Sequence, residues 1–214
     1  LPFHPSEAVT LRELLHDPGD HLREVEKRAA AQFGGKAGLH LTDKLADGKL
    51  VVDQGIIAGC AGGMYDNIAE AAAILSGHDT GSGYFSLSVY PPSVPVNLEL
   101  MENGVQQSLL TSGALFKPCF CGPCFGAGDV PANNGLSIRH TTRNFPNREG
   151  SKPADGQLAG VILMDARSIA ATARNHGVLT SAADVDYDAP SPAERRFDAS
   201  VYDKRVYRGF GHPQ

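Results

Sequence analysis

The sequence predicts an α/β fold, a three-layer sandwich with a mostly parallel sheet and helices on both faces. Three observations carry that expectation. Apolar, β-branched runs alternate with stretches of helical periodicity, glycine or proline turns close the runs, and a strand–turn–helix pattern met once near Cys60 recurs after Tyr84. A chain of 214 residues is long enough to bury a sizeable core. With 42% apolar and 20% charged residues, collagen-like, coiled-coil and disordered classes are excluded.

Each element has its own warrant. Thr10 ahead of Leu11-Arg12-Glu13-Leu14-Leu15 reads as a capped short helix, halted at Asp17-Pro18-Gly19. Leu22, Val25, Ala29 and Phe33 then recur at helical spacing, so two helices precede any strand. Leu50-Val51-Val52 and Ile56-Ile57-Ala58 form an apolar stretch ending in Gly59-Cys60-Ala61-Gly62-Gly63, after which Ile68, Ala71, Ala72 and Leu75 resume helical spacing. Residues 84–90 read as a strand, Pro91-Pro92 as a turn, and a helix follows from about Ser93 with Leu98, Met101 and Val105 on one face. Glycines and prolines between Phe120 and Pro131 forbid regular structure, and 137–142 reads as a short strand. Val161-Ile162-Leu163-Met164 is an apolar strand, and Asp165 is the expected N-cap of a helix from Ala166 to His176 that Gly177 ends.

No linker-like composition divides the chain before residue 180. Residues 1–183 are therefore read as one domain, and 184–214 as a linker or tail that packs on the outside. The chain opens at Leu1 and not Met, and is expected to be a piece of a longer polypeptide. No apolar run approaches the roughly 18 residues that span a bilayer, and no basic-then-apolar leader is present, so a cytoplasmic location without a membrane partner is expected. A net charge of -5 removes the whole-molecule attraction that drives non-specific nucleic-acid binding.

The four cysteines are Cys60, Cys119, Cys121 and Cys124, three of them within six positions. In a reducing compartment such clustering points to metal or redox chemistry before structural disulfides. Cys121-Gly122-Pro123-Cys124 has the spacing of a thiol–disulfide exchange motif, but Phe125-Gly126-Ala127-Gly128 cannot continue the helix that such a motif requires. A zinc site could draw on Cys121 and Cys124 with Cys119, His140 or Cys60, although a second cysteine pair is missing. Cys60 gains interest from its position, on a glycine turn at the carboxyl end of a strand, where open α/β sheets hold ligands. Arg139, His140, Arg143, Arg148 and Lys152 form a cationic stretch opposed by Glu149 alone, and arginines there suit a di- or tricarboxylate.

Cys60 on its glycine turn, Cys121-Gly122-Pro123-Cys124 61 positions later and Arg143-Asn144-Phe145-Pro146-Asn147-Arg148 beyond it together resemble the aconitase superfamily in order and separation. The close match covers about residues 59–180 and looks like the third, cluster-binding domain of an aconitase-like hydratase. The resemblance implies a [4Fe-4S] cluster held by Cys60, Cys121 and Cys124, with one iron left open to substrate, and Arg143 and Arg148 as carboxylate binders. Thiolates suit an iron–sulfur cluster chemically, and Cys119 is left to packing. The implied activity is a hydro-lyase acting on a hydroxy di- or tricarboxylate. Its partners would be that small substrate and other domains of the same polypeptide, which would carry the catalytic residues. The isolated chain is then expected to be inactive, with any cluster open to loss by oxidation.

Three departures from the family pattern stand out: Cys60-Ala61-Gly62 in place of Cys-Thr-Asn, Thr142 in place of asparagine, and Asn147 in place of glycine. An RNA-binding regulatory role, known among relatives that give up their cluster, ranks second because the chain is acidic.

Overall fold

Glu13 N–H donates to Thr10 Oγ1 (3.1 Å) while Thr10 N–H donates to Glu13 Oε2 (2.7 Å), and this reciprocal cap starts α1 (Leu11–His16). Asp17 then caps α2 (Pro18–Phe33) by accepting from Asp20 N–H (3.0 Å). Pro18 sits in the first turn, where its missing N–H costs nothing, and Gly34 closes the helix in the left-handed region. Both helices are where the sequence places them. The computed structural model describes residues 8–35, 38–142, 147–191 and 196–211, so Arg143 lies outside the described residues.

The apolar stretch at 50–58 divides in two. β1 (Leu45–Ala46) and β2 (Lys49–Leu50) form a small antiparallel hairpin whose turn residues, Asp47 and Gly48, both take positive φ. The chain then turns at Asp53 into β3 (Gln54–Ile57). Asp53 Oδ2 accepts from Leu136 N–H (2.7 Å) and from Lys44 Nζ (2.7 Å), fixing the register of the strand entrance.

After β3 come α3 (Gly59–Gly62), α4 (Tyr65–Leu75) and β4 (Ser86–Val89). The helix predicted from Ser93 is interrupted. Gly104 takes a φ of 72°, ending α5 (Val94–Glu102) and beginning α6 (Val105–Thr111), and Met101 is left 54% exposed while Leu100 and Leu109 enter the core. β5 (Leu115–Phe116), β6 (Leu136–His140), β7 (Gly160–Leu163) and α7 (Ala166–Arg174) follow. Asp165 caps α7 by accepting from Ser168 N–H (2.9 Å), as its position predicts.

Five strands align in the order β5-β4-β3-β6-β7, every pair parallel, and helices pack on this sheet to give the α/β sandwich that the alternation predicts. α7 crosses β3 and β6, and α4 lies along α7. Ile57, Leu87, Val89 and Ile138 point into that layer with Ile68, Ile74 and Ile169, all essentially fully buried. Each such side chain contributes about 1.5–3 kcal/mol of burial.

The strand order fixes where a ligand could sit. Successive strands run outward from β3 to one edge through β4 and β5, whereas β6 returns to the other side of β3. Such a reversal, beyond the carboxyl ends of β3 and β6, is where open α/β sheets hold ligands. The segment 117–135 makes the return and crosses the sheet face opposite α7. It is bonded to Arg139 and Tyr90. The segment beyond 184 lies outside the core: Tyr187 donates to Glu70 (2.7 Å), Arg196 N–H donates to the buried Glu99 (3.1 Å), and Phe210 is 91% exposed.

Candidate functional site

Cys60 stands at the first turn after β3, and its placement depends on the glycines around it. Gly59 takes a φ of 74°, and a Cβ there would lie 2.8 Å from Cys124 Sγ. A Cβ on Gly62 would meet His140 O at 1.9 Å, and one on Gly63 would meet Tyr90 O at 2.3 Å. The turn can therefore settle on the ends of β4 and β6 only because side chains are absent.

Cys121 ends one limb of the loop, and Gly122–Cys124 makes a single 3₁₀ turn, closed by Cys124 N–H to Cys121 O (3.0 Å). Phe125 leaves the helical region and no helix continues, so the arrangement differs from a thiol–disulfide exchange site. Gly126 passes against the backbone of Arg148 and Gly150, where a Cβ would be 2.7–2.8 Å from Gly150 Cα and Arg148 O. That close passage brings the 147–150 turn to the cysteine loop. Asn147 holds a φ of 64° in the left-handed region, which asparagine tolerates and which the glycine usual at this place would favour.

The three thiols that the resemblance selects are brought together, although 61 positions separate Cys60 from Cys121. Cys124 is 5% exposed and touches the Cys60 turn, whereas Cys60 and Cys121 are exposed. All four cysteines are free. Burial pushes the Cys124 thiol above its ordinary value, and the neighbouring Cys121 and Cys60 push the same way. A backbone N–H of Thr142 and the Arg148 guanidinium oppose them by favouring the thiolate. Arg148 Nη2 also donates to Thr142 Oγ1 (3.1 Å), so the cation, the Thr142 backbone and the thiols form one neighbourhood.

Two sequence expectations change here. Arg139 and His140 are strand residues of β6, not members of a cationic loop, and Arg139 is enclosed at 2% exposure by the loop that crosses it. Cys119 stands apart, with burial raising its thiol and Arg205 of the tail segment opposing that shift. Among the described residues, no three His, Cys, Asp or Glu side chains converge on one point to hold a single metal ion, so the zinc arrangement finds no such group there. A cubane cluster sets a different requirement, because each thiolate binds its own iron and the sulfurs stay apart.

Phe120 and Phe125 flank the thiols as an edge-to-face pair with ring centroids 6.1 Å apart, both largely exposed. Tyr90 donates to Asp129 Oδ2 (2.6 Å) beneath the loop. Burial and that carboxylate together hold the phenol above its usual range. No helix among the described residues is long and apolar enough to cross a membrane.

Comparison with known proteins agrees with this geometry. Residues 1–171 match the profile of the aconitase family (aconitate hydratase). The 3-isopropylmalate dehydratase large subunit of Bifidobacterium longum subsp. infantis is 29% identical over 188 residues, spanning 85% of this chain and 37% of that protein. Its namesakes from Nitratidesulfovibrio vulgaris and Thermococcus kodakarensis are 30% identical over 131 residues and 34% over 112. These matches cover 61% and 52% of this chain, and 31% and 29% of the relatives. The chain thus spans between 29% and 37% of these curated relatives. With a profile match over residues 1–171 and a five-stranded parallel sheet, this chain belongs to the aconitase family.

Proposed function

We propose that this chain is the cluster-binding part of a [4Fe-4S]-dependent hydro-lyase acting on a hydroxy di- or tricarboxylate. Cys60, Cys121 and Cys124 would hold the cluster, and Arg143 and Arg148 would bind substrate carboxylates. The observation that supports the reading is that Cys124 has Cys60, 64 positions away along the chain, and Cys121 as neighbours, beyond the carboxyl ends of β3 and β6. The chemistry of the donor set supports the reading. Gly59 leaves room for Cys124 Sγ, a backbone N–H of Thr142 points at that sulfur, and Arg148 supplies positive charge to an anionic ligand set. When bound, such a cluster offers a Lewis-acidic iron with an open position to a hydroxyl leaving group.

The protein's own part is to bind, orient and shield. Arg148 is bonded to Thr142 near Cys124, where its fork geometry suits a carboxylate. Phe120 and Phe125 present apolar rings around the thiols, a surface suited to a covering domain or subunit that excludes water. That agrees with the relatives' description as large subunits. The proton-transferring residues would come from that covering part, since the chain spans 37% of the Bifidobacterium longum subsp. infantis relative.

The test is hydration of unsaturated di- and tricarboxylates by the full-length protein after anaerobic reconstitution, followed by ultraviolet absorbance. Turnover is expected in the reconstituted protein and not in the apoprotein. Arg148→Lys should raise KM about tenfold with iron content unchanged, because charge survives and the bidentate fork does not. Full cluster content with no turnover on any such acid would overturn the hydro-lyase reading.

A further inference from the structure

Arg139 is a large, charged side chain enclosed in the interior, and its hydrogen bonds go to an unusual set of acceptors. Nε donates to Ser137 Oγ (3.0 Å), Nη1 to Pro123 O (2.9 Å), and Nη2 to Asp129 O (2.9 Å) and Gln54 Oε1 (3.3 Å). None of these four acceptors is a carboxylate. Gln54 Oε1 also accepts from Ser137 Oγ (2.8 Å), so residues of β3 and β6 together aim the guanidinium away from the sheet. The carboxylates of Glu149 and Asp129 act on it at longer range.

The two carbonyls lie on opposite limbs of the cysteine loop. Pro123 immediately precedes Cys124, and Asp129 stands on the return limb with a φ of 48° and its carboxylate held by Tyr90. One planar fork therefore spans the loop on either side of Cys124, a task for which a lysine ammonium has the wrong shape. Burial brings the guanidinium down to about 10, which still leaves it charged at neutral pH, and Cys124 is among the groups that favour its charge. An enclosed cation bonded to neutral acceptors is costly unless anions lie close by, and Glu149 and Asp129 supply most of that compensation ahead of Cys124.

We propose that Arg139 is a positioning residue for the thiol site: by clasping the Pro123 and Asp129 carbonyls it sets the depth of Cys124 against the Cys60 turn, and its charge balances the anionic iron–sulfur ligand set. The first half stands on the loop geometry alone, and the second rests on the cluster reading above.

The test uses the full-length protein in two states. In the apo state, alkylation of Cys124, read by peptide mass spectrometry, reports loop position without a cluster. Arg139→Met and Arg139→Lys are compared with Ile138→Val, which alters the opposite face of the same strand and controls for general loss of stability. Cys124 should react severalfold faster in Arg139→Met, less so in Arg139→Lys, and at the wild-type rate in Ile138→Val. In the reconstituted state, iron loss to a chelator should be about 10- to 100-fold faster in Arg139→Met, with Arg139→Lys between it and wild type. If neither arginine variant makes Cys124 more reactive than Ile138→Val does, the clasp is refuted. Should Arg139→Met not fold, Arg139→Lys alone decides. A wild type that never takes up a cluster while the alkylation pattern holds would remove the charge-balancing half and the cluster reading, and leave the clasp in place.

Discussion

On the helix-covered face of the sheet, Leu87, Val89 and Ile138 meet Ile169 and Ile74, and fit is a matter of volume. On the opposite face the same strands present Gln54, Ser137 and Arg139, and what they hold is the backbone of a glycine- and proline-rich loop. The first face is made by dispersion and water exclusion, which tolerate volume-conserving exchange. The second is made by directional bonds to carbonyl groups, where each partner lost leaves a buried group unsatisfied. The difference shows how one strand can serve stability and chemistry together. In β6, Ile138 belongs to the core while its neighbour Arg139 belongs to the site.

The largest effect expected from breaking this contrast is on the helix side. Leu87→Ala should cost about 2–5 kcal/mol in denaturant unfolding, since the fully enclosed side chain packs between Gly55 and Ile169 and leaves a cavity. Its folded fraction should nonetheless keep the wild-type alkylation pattern at Cys60, Cys121 and Cys124. Next in size is Gly62→Ala, which drives a methyl group into His140 O and should cost about 1–3 kcal/mol. Here stability and iron content should fall together, because relief of the clash moves Cys60. Wild-type iron retention in that variant would show that the turn has room to spare.

The smallest effect is pH-dependent. Burial holds His140 below its ordinary value, with Asp165 opposing, so the folded state favours the neutral ring. The unfolded chain then takes up a proton first as pH falls below about 6.5. Stability contributed by the neutral ring is present above that value and declines as pH falls towards the folded-state pKa. His140→Asn should flatten this part of a stability–pH profile without changing the alkaline side, and an unchanged acid limb would remove His140 from the account.

Much of this was legible in residue order. The cap at Thr10, the cap at Asp165 and the alternation of apolar runs with helical periodicity each have local causes, so the two opening helices, α7 and the parallel sheet follow from them. Other features needed closer reading. Asp47-Gly48 is a hairpin turn signal inside what looks like a continuous approach to a strand, and Asn103-Gly104 is a break inside a helical period. Arg139 was hardest, because its burial is created by a loop that closes over it from positions 123–129. The alternation Leu136, Ser137, Ile138, Arg139 nonetheless marks a strand with one polar face, and that pattern separates Arg139 from the loop arginines beyond it. The reversal itself arises from strand order, which no local segment encodes.

The most direct measurement is iron and acid-labile sulfide bound per chain after anaerobic reconstitution of full-length protein, for wild type and for Cys60→Ser, Cys121→Ser and Cys124→Ser singly. A full [4Fe-4S] complement with broad visible absorbance is predicted for wild type, and its loss in each of the three variants. A colourless wild type, or a Cys60→Ser variant that keeps the whole complement, would contradict the claim that these three thiols act as one site.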